Sequence, residues 1–364
     1  MKTIPWAQPK LTREDISSVN KTLKSNWISG GNQIENFEKN ICKFVKTKYA
    51  CVTSNGTSAL HLAFLSLDLK PNDEIIVPGF GYMAAANIGK LMGLKIIFAD
   101  VCENSFCVSL KNIKKVISKR TKLIVVTHTY GNINEIDDIC KFAKKNKILV
   151  VEDCAESLGS EYKKKHCGTF GDIGTFSFHA TKTITTGEGG AVCTKSKKIY
   201  QKLKLFRSHG VKKKRYLHYV PGHNFRLTNF QCALGNSQLK RIKKIKENRK
   251  KIYNLYCKNF SNKNFSTQKF SKKTSANYWT FSIFLNNSLT KKKSDEIINS
   301  LNKRGIETRN GFYSANEINY FKYKKKLNFS KTFSDRIINL PIFEELTKKQ
   351  VNFISNTFLD LINK

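Results

Sequence analysis

Gly171-Asp-Ile-Gly-Thr-Phe-Ser-Phe-His-Ala-Thr-Lys182-Thr-Ile-Thr-Thr-Gly-Glu-Gly-Gly190 is the stretch on which the reading of this chain turns. It begins with an apolar, strand-like run, Thr175–Phe178, and places Lys182 four residues further on between Thr181 and Thr183. Behind the lysine, Thr186-Gly-Glu-Gly-Gly190 is a turn in which little but glycine fits close to another backbone. A chain already rich in lysine has no structural need to hold one more among small hydroxyl side chains. A lysine that must present its amine to an aldehyde does need such a setting.

Upstream of this stretch, strand-like and helix-like segments alternate from about residue 48. Strands are expected at Tyr49–Thr53, Glu74–Val77, Lys95–Phe98, Leu123–Thr127 and Ile148–Glu152. Helices are expected at Ser58–Leu65, Ala84–Met92, Leu110–Ser118 and Glu135–Lys144. Apolar strands alternating with amphipathic helices predict an α/β fold with a mostly parallel sheet covered on both faces. Downstream, a basic helical stretch, Leu239–Tyr256, leads to a strand at Asn277–Leu285 and a helix capped by Thr290 and stopped by Gly305. Thr347 with Gln350 forms a capping box for a last helix. At 364 residues two domains are expected, a large one over 1–249 and a small C-terminal α+β domain over 250–364.

Composition narrows the function classes. Hydrophobic residues make up 40% of the chain, and no apolar run reaches the ~18 residues of a membrane span. Met1–Lys10 has no apolar core of the kind a signal peptide needs. The ten cysteines are scattered without a CxxC pair, and several fall inside apolar runs. That predicts free, buried thiols in a reducing cytoplasm and no metal site. The formal charge of +38 comes mostly from lysines in short dispersed clusters such as Lys163–Lys165 and Lys324–Lys326. Nucleic-acid readers favour arginine and interleave aromatics on one face, so no specific nucleic-acid partner is expected. The positive field still favours the approach of anionic substrates.

Three other features bear on chemistry. Ser54-Asn-Gly-Thr-Ser58 joins a strand to a helix and so offers backbone N–H groups and hydroxyls suited to a phosphate, although by itself it reads more readily as an ordinary N-cap. Asp153 lies at the carboxyl end of a strand, where open α/β sheets place ligands, and a loop aspartate is the plainer alternative. Tyr82, in the glycine-bearing loop Pro78–Asn87, could stack on a flat cofactor or sit in the core. Together, a phosphate cradle, a stacking ring, a carboxylate for a ring nitrogen and a loop lysine are what pyridoxal phosphate (PLP) requires.

With those pieces in place the chain resembles the DegT/DnrJ/EryC1/StrS sugar aminotransferases of PLP fold type I over nearly its whole length. The resemblance is carried by Trp27–Gly31, Ser54–Thr57, Val151–Gly159, Gly171–Gly190, Arg207–Gly210 and Gly222–Asn229. It implies that Lys182 forms the Schiff base with PLP and catalyses the proton transfers, and that Asp153 pairs with the pyridine nitrogen. It implies that Tyr82 stacks on the ring, that Gly56, Thr57 and Ser177 hold the phosphate, and that Glu156 belongs to the cofactor site. Asn224 matches a residue reaching the phosphate from a neighbouring subunit, which implies a homodimer with a shared site. His179, Arg226 and Arg309 are expected on the substrate. His223 and Phe225 stand where many relatives carry tyrosines.

Glu156, Lys214–His218 and Gly305–Arg309 resemble most the branch that aminates C4 of GDP-4-keto-6-deoxymannose with glutamate as donor, whereas Asn310–Ser314 lacks the proline found in relatives. Three rivals stand beside this reading. Another nucleotide-sugar 3- or 4-aminotransferase, UDP- or dTDP-linked, would look similar. A related PLP-dependent sugar dehydratase would replace the lysine by histidine. A non-catalytic regulator of the same fold would show a degraded site.

Overall fold

The computed structural model describes residues 3–133, 135–214, 216–261, 265–285 and 291–362. Its strands in chain order begin with β1 (Tyr49–Thr53), β2 (Glu74–Pro78), β3 (Lys95–Ala99), β4 (Thr121–Thr127) and β5 (Leu149–Asp153). A short hairpin, β6 (Glu161–Tyr162) and β7 (Lys165–His166), precedes β8 (Ile173–Ser177) and β9 (Gly190–Thr194). Then follow β10 (Phe265–Thr267), β11 (Thr274–Ser275), β12 (Phe281–Leu285), β13 (Arg309–Asn310) and β14 (Ile337–Leu340).

Seven strands form the central sheet in the order β1-β9-β8-β5-β4-β2-β3. All run parallel except β9, which pairs antiparallel with both β1 and β8. The mostly parallel α/β expectation therefore holds. In a strand, successive side chains face opposite sides. Accordingly Ile76, Ile124 and Val150 enter one buried cluster with the helix residues Phe37, Ile41 and Ile139. Their neighbours Ile75, Leu123 and Val151 enter the other, against Leu62 and Phe64 of the helix Gly56–Ser66. Glycine is required where β8 crosses the preceding turn: a Cβ on Gly174 would stand 2.3 Å from the Cα of Gly168.

The C-terminal part carries a four-stranded sheet, β10-β12-β14-β13. Its core joins Tyr256, Phe281, Ile338 and Phe358 to Ile4 from the start of the chain. The Thr347–Gln350 capping box is present, with Gln350 N–H donating to Thr347 Oγ1 at 3.2 Å. Gly305 takes φ +75 just past the helix Lys291–Lys303, as a helix stop should. Thr290, the expected cap of that helix, lies outside the described residues, as does Arg215.

Two expectations differ. The stretch Leu239–Tyr256 is the end of one helix, Asn229–Lys240, and most of another, Ile242–Asn259; Arg241 between them (φ −105, ψ 10) leaves helical geometry. The strand expected at Asn277–Leu285 begins only at Phe281, because Tyr278 takes φ +50 and breaks the extended run. The antiparallel β9 and the helices Arg13–Lys24 and Asn32–Val45 were not anticipated. No helix of the described residues is long and apolar enough to cross a membrane.

Candidate active site

Carboxyl ends of parallel strands in an open α/β sheet expose backbone and side chains that the strand hydrogen bonds no longer occupy. Here they open on one cavity of about 720 Å³. Thr127 ends β4, Asp153 ends β5 and Ser177 ends β8, while Asn55 and Gly56 follow β1 and Tyr82 follows β2; all line the cavity. It brings together Gly56, Thr57, Tyr82, Asp153, Glu156, Ser177, His179, Lys182 and Arg309 from the expected set. Asn224 and Arg226 do not line it; both are exposed, and Arg226 Nε donates to Asn224 Oδ1 at 3.0 Å.

The turn after β1 does two things at once. Asn55 caps the helix Gly56–Ser66, its Oδ1 accepting from Ser58 N–H at 2.7 Å. The remaining N–H groups of a first helical turn have no partner inside the helix. Gly56 packs so tightly on β8 that a Cβ there would come within 2.9 Å of Ser177 Cβ. The first turn and the Ser177 hydroxyl thus form a small, donor-lined pocket at the positive end of a helix, which fits a phosphate. Tyr82 is 69% exposed and meets Phe312 edge-on at 6.3 Å, so it belongs to the cavity wall and not to the core.

Lys182 lines the same cavity. Burial pushes its pKa down, the carboxyls of Glu156 and Asp153 work against that shift, and Arg309 adds to it. Its Nζ lies 4.2 Å from the ring centre of Trp279. Burial likewise pushes Asp153 up, opposed by the Ala155 N–H, which donates to its Oδ1 at 3.1 Å, by Lys182 and by His128. Glu156 is pushed up to about 7 by burial and Asp153, against Lys182 and the Tyr130 N–H that donates to Oε2 at 2.8 Å. Burial makes the amine easier to deprotonate than an ordinary lysine, and the two carboxyls beside it favour its charged form. The donor pocket, Asp153 and the Lys182 amine line one cavity, a set whose chemistry fits the phosphate, ring nitrogen and aldehyde of PLP.

His179 lines the cavity with its Nδ1 3.0 Å from Thr181 Oγ1 and its Nε2 3.7 Å from Glu188. Trp6, Trp279, Phe312 and His61 also line the cavity and were missed from sequence. Phe312 lies in the segment noted only for lacking a proline, and Trp279 lay in a stretch read as continuous strand. Arg309 lies flat over Trp6, 4.4 Å from its ring. His223 and Phe225 stack on each other at 4.5 Å and against His61 at 4.9 and 5.4 Å, which fixes the loop bearing Asn224.

Comparison with known proteins agrees with this geometry. GDP-perosamine synthase of Escherichia coli O157:H7 is 40% identical over 97% of this chain and 97% of its own length. GDP-perosamine synthase of Vibrio cholerae is 35% identical over 99% of both chains. Among solved structures, an aminotransferase of Helicobacter pylori involved in the biosynthesis of pseudoaminic acid superimposes with a TM-score of 0.95 at 30% identity, covering 100% of both chains. A family profile matches residues 9–359, and on that match the chain belongs to the DegT/DnrJ/EryC1/StrS aminotransferase family.

Proposed function

We propose that the protein is a PLP-dependent aminotransferase that converts a nucleotide-linked 4-keto-6-deoxy sugar to the 4-amino sugar. GDP-4-keto-6-deoxymannose is the first choice of substrate and glutamate the donor. The observation that carries this is the Lys182 amine, which lines the cavity under the charge of Glu156 and Asp153. Full-length similarity to two GDP-perosamine synthases supports the sugar.

When bound, PLP supplies an electron-withdrawing ring. Asp153 would accept the hydrogen of the ring nitrogen and keep it protonated. Gly56, Thr57 and Ser177 would hold the phosphate at the helix N-terminus, and Tyr82 would lie against the ring. Lys182 would hold the cofactor, and its free Nζ would take the proton from Cα of glutamate and later deliver one to C4 of the sugar. Glu156, poised near neutrality, steadies the charge on that amine. Arg309 and His179, which line the cavity, would meet the anionic and hydroxyl groups of the substrates, and Arg226 would do so in the site of the other subunit.

Asn224 and Arg226 lie outside the cavity of their own chain, which supports a homodimer in which this loop completes the site of the other subunit. The exposed Trp27 and Ile28 offer apolar surface for such a contact. We read residues 1–249 and 250–364 as two domains, supported by the separate core around β12 and β14. The free cysteines support a cytoplasmic setting.

A second reading, a UDP- or dTDP-linked 3- or 4-aminotransferase, is favoured by the 32% identity to a UDP-4-amino-4,6-dideoxy-N-acetyl-beta-L-altrosamine transaminase of Campylobacter jejuni over 99% of this chain. The deciding measurement is 2-oxoglutarate formation from glutamate with a panel of 4-keto and 3-keto nucleotide sugars. Turnover with GDP-4-keto-6-deoxymannose is expected; turnover with only a 3-keto sugar overturns the C4 assignment.

A further inference from the structure

We propose that Trp279 is the seat of the free Lys182 amine: whenever the lysine is not engaged with the cofactor aldehyde, its ammonium rests on the indole face. This deepens the assignment of Lys182 as the cofactor lysine and rests on it.

The geometry is specific. Nζ lies 4.2 Å from the ring centre, within reach of the attraction between a cation and an aromatic face, which is strongest for tryptophan. The indole is not free to turn. Its Nε1–H donates to the carbonyl of Thr181, the residue before the lysine, at 2.9 Å. Trp6 meets it edge-on at 5.1 Å and Tyr130 stacks on it at 5.9 Å.

The peptides of lysine and tryptophan are tied as well. Arg249 reaches the Trp279 carbonyl with Nη1 at 3.3 Å and the Lys182 carbonyl with Nη2 at 3.5 Å. Asn277, two residues before the indole, donates to Thr183 Oγ1 at 2.8 Å and to the Glu156 carbonyl at 2.9 Å. Lysine loop and indole therefore move as one piece. Other charged groups facing the amine are Glu156 and Asp153, which favour the ammonium, and Arg309, which opposes it. His179 and Glu188 share the cavity wall, and Arg249 lies on the backbone side.

Trp279 is thus a positioning residue: it holds the amine beside the reacting carbon and favours its protonated form. The test uses cofactor-free full-length protein. Trace acylation with acetic anhydride at a series of pH values, read by mass spectrometry of the Lys182 peptide, gives the titration midpoint of this one amine, with other lysine peptides as internal controls. Trp279→Leu keeps the site apolar but removes the aromatic face, and the midpoint is expected to fall by roughly 0.4 to 1.5 pH units. Trp279→Phe should fall between it and the unaltered protein.

Since a leucine at this buried position can unsettle the fold, a second series replaces all three tryptophans by mono-, di- and trifluorotryptophan. Fluorine withdraws charge from the ring face without removing the ring, so the midpoint should drop stepwise. An unchanged midpoint across the folded fluorinated series overturns the proposal. The assignment of Lys182 itself fails separately, if added PLP gives no absorbance band that depends on Lys182.

Discussion

Glu152 and Asp153 are consecutive residues at the end of β5, and their surroundings could hardly differ more. Glu152 is fully buried on the far side of the strand from the cavity. Its oxygens accept from the N–H groups of Gly168, Phe170 and Gly171 at 2.7 to 2.9 Å, and His128 Nε2 lies 2.9 Å away. Burial pushes Glu152 up, but His128 and these N–H groups outweigh it and hold the carboxyl below its ordinary range. Asp153 accepts a single N–H, from Ala155, and its remaining capacity faces the cavity. One carboxylate is consumed in holding the turn that leads into β8. The other is left open for a ligand. A buried charge with its hydrogen bonds satisfied is structural, and a neighbour with spare capacity aimed into a cleft is where chemistry can occur.

The sharpest test of the cavity side is Lys182→Ala, which should lower transamination by roughly 10⁴-fold, measured as 2-oxoglutarate formation. Substantial turnover in that variant would remove the amine from the reaction. Asp153→Asn should cost roughly 10³-fold in kcat while leaving the melting temperature nearly unchanged. On the structural side the pattern should invert. Glu152→Gln leaves His128 with a weakened partner and should destabilise by about 3 kcal/mol in denaturant unfolding, with kcat per folded molecule nearly retained. If Glu152→Gln lost turnover and not stability, the division between the two neighbours would be wrong.

Glu156 gives the smallest effect and a signed pH dependence. Its pKa in the folded protein, about 7, lies above the ordinary glutamate value of 4.5, so between those values the folded state binds more protons than the unfolded one. Cofactor-free wild type should therefore lose stability relative to Glu156→Gln as pH rises from about 4.5 to about 7, and the gap should then level off. The full difference is on the order of 3 kcal/mol, read from unfolding midpoints across pH. A gap that stays flat over that window would place Glu156 among satisfied carboxylates such as Glu152.

Much of this contrast was legible in the sequence. Strand–turn–helix alternation fixed where strand ends fall, and ligand-facing residues such as Gly56, Asp153 and Ser177 sit at those ends by the geometry of parallel sheets. What escaped notice came from residues distant in sequence. Trp279 and Phe312 reach the cavity from the C-terminal part of the chain, and Trp6 from the segment whose Ile4 bridges to Ile306; nothing local distinguishes them from core aromatics. The antiparallel sense of β9 escaped for a similar reason: Gly190–Thr194 is apolar whichever way it runs, and its direction is set by the tight turn after Lys182. Glu152 reads from sequence as a strand residue next to an interesting one. Its role depends on a loop that returns to it sixteen to nineteen residues later.

The tie between Asn277, Trp279 and the lysine loop bears on how the protein is born. A chain leaving the ribosome has every strand of the central sheet once residue 194 has emerged. At that moment Lys182 has neither its indole nor Arg309 beside it, and the carbonyls of Glu156 and Leu158 have lost the Asn277 amide that satisfies them. More than eighty further residues must be made before that gap closes. The nascent sheet therefore carries an exposed amine and an unfinished pocket through that interval, so cofactor capture becomes a late event in synthesis.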